Sequence, residues 1–303
     1  YEEMKLKLCE HDVLHADETT LQVLKEPGKA AQSKSYMWLY RTSGEAKHQI
    51  VIYDYQPDRR YIHPEKFLKN FKGYLHTDGY EGYHKLPGDI IVVGCLAHLR
   101  RKFFDALKTL PKENRPESLA AIGVTYIDRL FYLEKQFAHL TPEDRLLKRT
   151  RLSKLVFDEF YHWIYSLSAL PGTLIGKAVH YAKSQQDYLS RYLMDGRLEI
   201  SNNRAERSIK PFVIGRKNWL FSNTPGGARA SAIYYSLVVT AKENGLNPFE
   251  YLTWIFKNAP NLGKAGYVSE YRDFLPGSTA LPQKVFVPRC GDSKSEKYAW
   301  EED

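Results

Sequence analysis

Three acidic residues have the types and surroundings that phosphodiester chemistry needs. Asp17 closes one apolar run near the start of the chain, and Asp78 closes a second. Glu206 lies in a segment, 202–207, that is typical of the start of a helix. A carboxylate at the end of a buried strand is costly unless a positive group compensates it. In a basic chain, two such strand ends and a helical glutamate predict a site that holds magnesium and acts on phosphodiesters.

Each of these acidic residues also has a simpler interpretation. Asp17 could cap the turn that follows it, and Asp78 precedes a glycine, which is a common turn pair. Asn203 and Glu206 fit a capping box, and Lys210 could give Glu206 an ordinary ion pair one turn along the helix. Taken singly, each of these alternatives explains its residue at least as well as catalysis does. The order of the surrounding elements favours catalysis when the three are taken together.

Basic residues near Glu206 suggest contacts with a phosphate backbone, because cations beside a helix start suit phosphate groups. The alternative is a surface helix with solvated charges. His98 could hold a phosphate, aid proton transfer or make only a hydrogen bond at a helix start, and Asn202 and Asn203 are further possible accessory residues. The candidate DNA-binding residues are Arg101, Arg204, Arg207, Lys210, Arg216 and Lys217.

The first third of the chain predicts the elements that would position these side chains. Three strand-like runs are followed by a short helix at Pro64, the strand that reaches Asp78, an apolar strand at 90–93 and a basic helix at 97–107. This is the element order of the ribonuclease-H-like fold. The prediction is an α/β protein whose mixed sheet is flanked by helices, with the strands of Asp17 and Asp78 side by side.

Strand signals end near residue 110, and apolar residues then recur at helical spacing. We therefore expect an all-helical insertion before the helix of Glu206. We interpret 212–221 as a strand pair or irregular segment, and 225–227 as a flexible loop. The predicted divisions are 1–109 (first part of the catalytic core), 110–197 (helical insertion), 198–258 (rest of the core, with C-terminal helices) and 259–303 (surface tail).

Composition narrows the class of protein. The chain has 303 residues, 43% hydrophobic residues and a net charge of +8, which fits a folded protein with a polyanionic partner. Its three cysteines are far apart, which favours a reducing compartment and predicts a cytoplasmic protein. Cys95 and His98 hint at zinc, but the lack of a second close pair argues against a structural zinc site. Without a run of about 20 apolar residues, no membrane partner is expected.

Several motifs, in this order between residues 10 and 258, resemble those of the insertion-sequence-sixty-six-type transposases. They are His15-Ala16-Asp17-Glu18-Thr19, Thr77-Asp78-Gly79-Tyr80-Glu81-Gly82-Tyr83, Gly94-Cys95-Leu96-Ala97-His98-Leu99-Arg100-Arg101-Lys102-Phe103, Asn202-Asn203-Arg204-Ala205-Glu206-Arg207, Gly215-Arg216-Lys217-Asn218-Trp219 and Thr240-Ala241-Lys242-Glu243-Asn244-Gly245-Leu246-Asn247-Pro248. Leu96 stands where the family pattern has tryptophan.

The resemblance implies a DDE transposase of a bacterial insertion sequence with a ribonuclease-H-like catalytic domain. Asp17, Asp78 and Glu206 would be its catalytic residues and would bind two Mg²⁺ ions, with Mn²⁺ as a substitute. The implied partners are element ends and target DNA, with a homodimer or larger assembly on DNA. The family also carries an N-terminal DNA-recognition region. Because this chain opens at Tyr1 in a charged run, we interpret it as a fragment without that region.

Two other functions remain open from the residues. A nuclease or resolvase of the same fold would cleave DNA without joining it. A non-catalytic DNA-binding accessory protein would keep the fold alone, although the intact acidic trio argues against it.

Overall fold

A five-stranded mixed sheet organises the first third of the chain. The computed structural model describes residues 1–287. The strands are β1 (Val13–Gln22), β2 (Lys34–Thr42), β3 (Val51–Gln56), β4 (Gly73–His76) and β5 (Ile90–Val93). Their order is β3-β2-β1-β4-β5; β1, β2 and β3 are antiparallel neighbours, whereas β4 and β5 run parallel to β1. This is the strand order of the ribonuclease-H-like fold, so the predicted fold class is confirmed.

Helices cover both faces of this sheet and form the insertion. Those of the core are α1 (Glu2–Leu8), α2 (Ile62–Phe67), α3 (Leu96–Lys108), α9 (Asn203–Trp219), α10 (Pro225–Glu243) and α11 (Pro248–Asn258). Those of the insertion are α4 (Leu119–Phe137), α5 (Pro142–Lys148), α6 (Lys154–Ser166), α7 (Leu174–Ser184) and α8 (Gln186–Ser190). All the secondary-structure elements between α3 and α9 are helices, as predicted.

Alternation along β1 sends its side chains to two different cores, because successive residues of a strand point to opposite faces. Leu14 and Ala16 pack with residues of α1 and α2. Leu21 packs with residues of α9 and α10 on the other face. Asp17 has the parity of Leu21, so its side chain faces α9.

The insertion packs against the core through α3. Leu99 and Phe103 of this helix share a buried cluster with Ile127 of α4, Phe160 of α6 and Val179 of α7. Because α3 also begins directly after β5, one helix connects the edge of the sheet with the insertion.

The interpretation of 212–221 as strand or irregular structure was wrong. Helix α9 continues to Trp219 and includes Pro211. Its Phe212 is buried against Trp219 and Tyr235, with ring centroids 5.3 and 5.2 Å away. Aromatic packing against α10 and the sheet thus outweighs the extended preference of the β-branched residues in this segment.

The interpretation of 225–227 as a flexible loop was also wrong, since these residues form the first turn of α10. The side chain of Thr224 accepts a hydrogen bond from the Gly227 N–H at 3.1 Å, and Pro225 occupies the first helical position. Threonine followed by proline is a common helix start, and here it stabilises one despite two glycines.

The segment that follows α11 buries part of its length. Phe274, Leu281 and Val285 form a small core with Tyr251 and Trp254 of α11. Residues 288–303, which include Cys290 and the end of the predicted surface tail, lie outside the described residues. The proposed division into four segments remains a prediction. None of the helices within residues 1–287 is both long and apolar enough to cross a bilayer.

Candidate active site

Asp17 lies inside β1 rather than at its tip, which corrects the sequence interpretation. The strand continues five residues further, to Gln22, along its antiparallel neighbour β2. On its other side β1 pairs with β4 only as far as His15, opposite His76. Asp17 therefore stands where the sheet opens beyond the carboxyl end of β4. Crevices at the carboxyl ends of parallel strands are common ligand sites in α/β proteins.

Asp78 follows β4 by two residues and sits beside the same opening. Its Oδ1 accepts a hydrogen bond from the Tyr80 N–H at 2.9 Å, so this carboxylate also orders the local turn. Its Oδ2 lies 3.8 Å from Nη2 of Arg59. The turn role suggested by sequence is thus realised, and it leaves Oδ2 facing a cation.

Glu206 lies in the first turn of α9 and faces α3. Its Oε1 is 3.5 Å from Nε2 of His98, and its Oε2 is 3.5 Å from Nη2 of Arg101. The N-cap of α9 is Asn202, without a side-chain cap, so the capping box with Asn203 that was the alternative to catalysis is not formed. Among the described residues Glu206 has no ion pair with Lys210, and its charge is directed toward the sheet opening instead.

Two adjoining depressions collect the three acidic residues. The first, of about 340 Å³, is lined by Asp17, Glu206 and Lys210, and the second, of about 420 Å³, by Asp78. His98 lines both. The fold thus brings all three carboxylates around one imidazole, although their oxygens do not all lie within 4.8 Å of one another.

Negative charge is in excess at this opening. The pKa of Asp17 is raised well above its usual value, first by burial and then by the charges of Glu18, Asp78 and Glu206. Within the described part of the chain, Oε1 of Glu206 is buried without a hydrogen-bond partner. Because unpartnered carboxylate oxygens are what hard divalent cations bind, the residues present fit a magnesium site.

A second possible donor group overlaps this site. Ligand atoms of Cys95, His98 and Glu206 lie within 4.8 Å of one another, so the fold supplies a third donor that the sequence did not identify. However, burial raises the pKa of the Cys95 thiol to about 11, and its Sγ accepts a hydrogen bond from the Asn202 N–H at 3.1 Å. A protonated thiol is a weaker metal ligand than a thiolate, and the contact that the structure shows for this Sγ is its hydrogen bond to the start of α9.

A layer of buried polar side chains lies beneath the carboxylates and was missed by the sequence reasoning. His15 and His76 are fully buried, and their rings stack. Nδ1 of His15 is 2.9 Å from Oδ1 of Asn202, whose amide donates to the Ala16 carbonyl at 2.8 Å. The available signal was a repeated pattern, histidine two residues before each aspartate.

Glu18 is the other functional residue that the sequence reasoning missed. It points away from Asp17, its side chain is only 2% exposed, and it accepts hydrogen bonds from Arg59 and from the Tyr83 hydroxyl, both at 2.6 Å. Burial raises the pKa of Glu18, and the charge of Asp78 adds to this effect, whereas Arg59 opposes it. Arg59 is therefore shared between a buried glutamate and a proposed catalytic aspartate. The sequence signal for this arrangement was the adjacency of two acidic residues, Asp17 and Glu18.

The candidate DNA-binding residues divide into two groups. Arg204 donates to Glu199 at 2.6 Å, and Arg216 donates to the Thr19 hydroxyl at 3.1 Å and to the Thr20 carbonyl. Both arginines thus have contacts inside the fold. The exposed group, Arg101, Arg207, Lys210 and Lys217, can reach a ligand directly. DNA contact by either group remains a prediction.

Comparison with known proteins supplies the family. Residues 1–230 match the family described as "Transposase IS66 family", and residues 236–276 match "IS66 C-terminal element". Two relatives from Sinorhizobium fredii are the uncharacterized proteins y4qI, 31% identical over 285 residues (89% of this chain, 51% of the relative), and y4hP, 29% identical over 258 residues (79% and 46%). The chain spans about half the length of these curated relatives. A solved structure, the Drosophila P element transposase strand transfer complex, is a distant likeness with 11% identity and a TM-score of 0.36, covering 75% of this chain and 78% of that one.

Proposed function

Because the chain belongs to the IS66 family of transposases, we propose that it forms the catalytic part of a DDE transposase. In this proposal it cleaves DNA at the ends of a mobile element and joins the freed 3′-hydroxyl to target DNA by in-line phosphoryl transfer. Asp17, Asp78 and Glu206 are its catalytic residues.

One observation carries the proposal. Three carboxylates that are 61 and 128 positions apart in sequence surround His98 at the open edge of the sheet. Burial raises the pKa of Asp17 most, and the charges of Glu18, Asp78 and Glu206 raise it further. A fold that needed only turns and caps would have no reason to collect three carboxylates at one opening, since placing like charges close together costs stability.

Magnesium is the proposed cofactor, with Asp17, Asp78 and Glu206 as its protein ligands. When bound, two such ions would activate the attacking hydroxyl and stabilise the charge that develops around the phosphorus. Mn²⁺ has similar ligand preferences and would substitute for Mg²⁺.

The chain's own residues orient the substrate and set the charge of the site. Burial lowers the pKa of His98, against the opposing charges of Glu206 and Asp78, which disfavours a further cation beside Glu206. Arg101 and Lys210 are exposed at the rim of the first depression, where they can contact the phosphates on either side of the reacting one. Such contacts make DNA binding depend on salt concentration.

The partners in this proposal are the element's ends, target DNA and a second copy of the protein, because two ends must be processed together. End recognition is assigned to the family's N-terminal region. Two other functions give different results in the same assays. A same-fold nuclease or resolvase would cleave and not join, and a DNA-binding accessory protein would do neither.

The test uses a supercoiled plasmid as target and a labelled duplex with a free 3′-hydroxyl as the pre-cleaved end, both with Mn²⁺. We expect the parent chain to nick the plasmid and to join the label to it. Asp78→Asn should abolish both reactions and keep its affinity for the duplex. Asp89→Asn is the matched control, because Asp89 is exposed, its side chain pairs with Lys72 at the surface, and it lies outside the motifs that carry the acidic trio.

Normal nicking by Asp78→Asn would overturn the catalytic assignment. Nicking without joining by the parent would favour the nuclease alternative. Calorimetric titration with Mn²⁺ addresses the accessory-protein alternative, because a non-catalytic protein needs no metal and Asp78→Asn would then leave the heat of titration unchanged.

A further inference from the structure

A cleft of about 870 Å³ separates the insertion from the core beside the proposed active site. One wall is α7 with the loop that precedes it, at 167–173. The other wall is the turn after Asp78, represented by Gly79 and Glu81, with His84 beyond it. The insertion thus contributes half of a groove whose other half carries a proposed catalytic residue.

This cleft is continuous with the active site. Gly79, Glu81, Lys102 and Tyr181 line both the cleft and the depression that holds Asp78. Lys102 of α3 lines both spaces, and Arg101 and Lys102 follow His98 by three and four residues, which places the three side chains on one side of that helix. A polymer crossing the carboxylates along α3 would therefore enter the cleft next.

The cleft carries net positive charge. Lys102, Lys177 and Lys183 line it, against a single carboxylate from Glu81. In residues 1–287 none of the three lysines forms an ion pair, whereas many surface cations elsewhere do. Unpaired lysines along an open groove are suited to a phosphate backbone.

Tyr181 stands at the junction of the cleft and the active site. A Cβ atom added to Gly79 would come within 2.7 Å of the Tyr181 hydroxyl, so the ring packs tightly on the turn that follows Asp78. Lys102 Nζ lies 4.8 Å from the centroid of the ring. A half-buried aromatic ring beside a cation can contact a base or sugar while its neighbour contacts a phosphate.

We propose that this cleft binds the DNA segment next to the reacting phosphate, with Lys177 and Lys183 contacting its backbone and Tyr181 contacting the nucleotide that leaves the active site. The inference rests on the proposed function, since it assigns the helical insertion a role in holding that enzyme's substrate. The insertion then determines which of the two DNA segments, on either side of the cleaved phosphodiester, the protein holds after cleavage.

The test compares two double variants of the full chain. Lys177→Ala with Lys183→Ala removes two cleft cations, and Lys135→Ala with Lys148→Ala removes two exposed lysines of the same insertion that do not line the cleft. Binding of a fluorescein-labelled DNA duplex is measured by anisotropy in EDTA at several salt concentrations. Thermal unfolding checks that both variants are folded.

We expect the cleft variant to bind more weakly and its slope of log K against log salt to fall by about 1.8, at about 0.9 for each lost phosphate contact. The control variant should retain the parent slope. Equal slopes for the two variants, or no measurable binding by the parent at low salt, would overturn the inference.

This outcome is separable from the fate of the proposed function, because no turnover occurs in EDTA. If Asp78→Asn still nicks DNA, the catalytic proposal fails while a changed salt slope still supports the cleft. If Asp78→Asn loses nicking and the cleft variant binds like its control, the cleft inference alone fails.

Discussion

His15 and His76 stack beneath the proposed active site, with ring centroids 4.4 Å apart and planes 13° from parallel. Each histidine precedes a proposed catalytic aspartate by two residues; His15 and Asp17 share one face of β1, and Asp78 lies just past His76 at the end of β4. Asn202 links His15 to the start of α9, one helical turn before Glu206. The buried layer therefore fixes the strands and the helix that carry all three carboxylates.

Asn202→Ala is expected to loosen this arrangement. It leaves Nδ1 of His15 and the Ala16 carbonyl without their buried partner. The free energy of unfolding should fall by about 1–3 kcal/mol. As a positioning residue, Asn202 should also set the Mg²⁺ concentration needed for half-maximal nicking, which should rise in the variant.

Asn203→Ala is the control for this effect, since Asn203 is adjacent, less buried and makes no side-chain hydrogen bond within the described residues. Urea unfolding and a metal titration of nicking measure the two quantities. A purely structural role for Asn202 would lower stability and leave the metal requirement equal to that of the control.

Arg59→Ala should destabilise the protein by leaving Glu18 without its cation. Breaking a buried ion pair costs about 3–5 kcal/mol, and exposed pairs contribute under about 1 kcal/mol. Because Glu18 is buried and Arg59 partly exposed, we expect a loss of about 1–3 kcal/mol in urea unfolding. Adding Glu18→Gln to Arg59→Ala should restore part of it; additive losses would mean that the two residues are not coupled.

Asp17→Asn is expected to stabilise the metal-free protein while abolishing nicking. The folded-state pKa of Asp17 is raised by burial and by the acidic residues around it. The unfolded chain therefore releases this proton first, and stability falls as pH rises from about 4 toward the raised pKa. The Asp17→Asn variant has no carboxyl group to ionise at this position and therefore lacks this loss of stability.

The measurement is the Tm in EDTA across a pH series. The variant should have the higher Tm near pH 7, and the difference should shrink as pH falls toward 4. Added Mg²⁺ should raise the Tm of the parent and leave that of the variant nearly unchanged. A lower Tm for the variant at every pH would contradict the charge repulsion.

Local sequence patterns were sufficient for most of the sheet, whereas the catalytic assignment of the acidic trio stays a prediction. Apolar runs of the right length predicted the strands, and the parallel pairing of β1 with β4 follows from the helix between them. The β-branched Thr19 and Thr20 favour an extended run past Asp17, but the patterns could not show that β1 pairs there with β2 alone, beyond the end of its pairing with β4.

Tertiary contacts decided the remaining features. The local sequence around Phe212 favours a strand, but the packing of Phe212 against Tyr235 accompanies its place in α9. His15 and His76 stand in visible sequence patterns, yet only the register of β1 with β4 shows that they stack. Arg59 and Tyr181 come from segments far from the motifs, so only the fold could place them at the site.

Arg149 anchors the insertion to the segment that leads into α9. It is 1% exposed and makes five hydrogen bonds, two to Glu134 and three to the carbonyls of Tyr192, Asp195 and Leu198. Arg149→Met should lower the free energy of unfolding by about 3–5 kcal/mol, because it leaves a mostly buried carboxylate and three carbonyl groups without their hydrogen-bond donor. Arg151→Met, an exposed change in the same turn, should cost little.

Hydrogen exchange separates a local from a global effect of Arg149→Met. Amides in 192–206 should exchange faster than in the parent at denaturant concentrations where the sheet remains protected. Uniform loss of protection would show that the arginine stabilises the whole protein and does not hold this segment in particular.

Arg216 and Lys217 are neighbours that should differ in what they do. Arg216 donates to Thr19 and Thr20 of β1 and so holds α9 against the strand of Asp17. Arg216→Ala should lower the free energy of unfolding by about 1–3 kcal/mol and leave the salt slope of DNA binding unchanged. Lys217 is exposed on the face of α9 that also carries Glu206 and Lys210, so Lys217→Ala should lower that slope by about 0.9 at unchanged stability. The opposite pattern would mean that hydrogen bonds within the fold do not identify which cations are available to DNA.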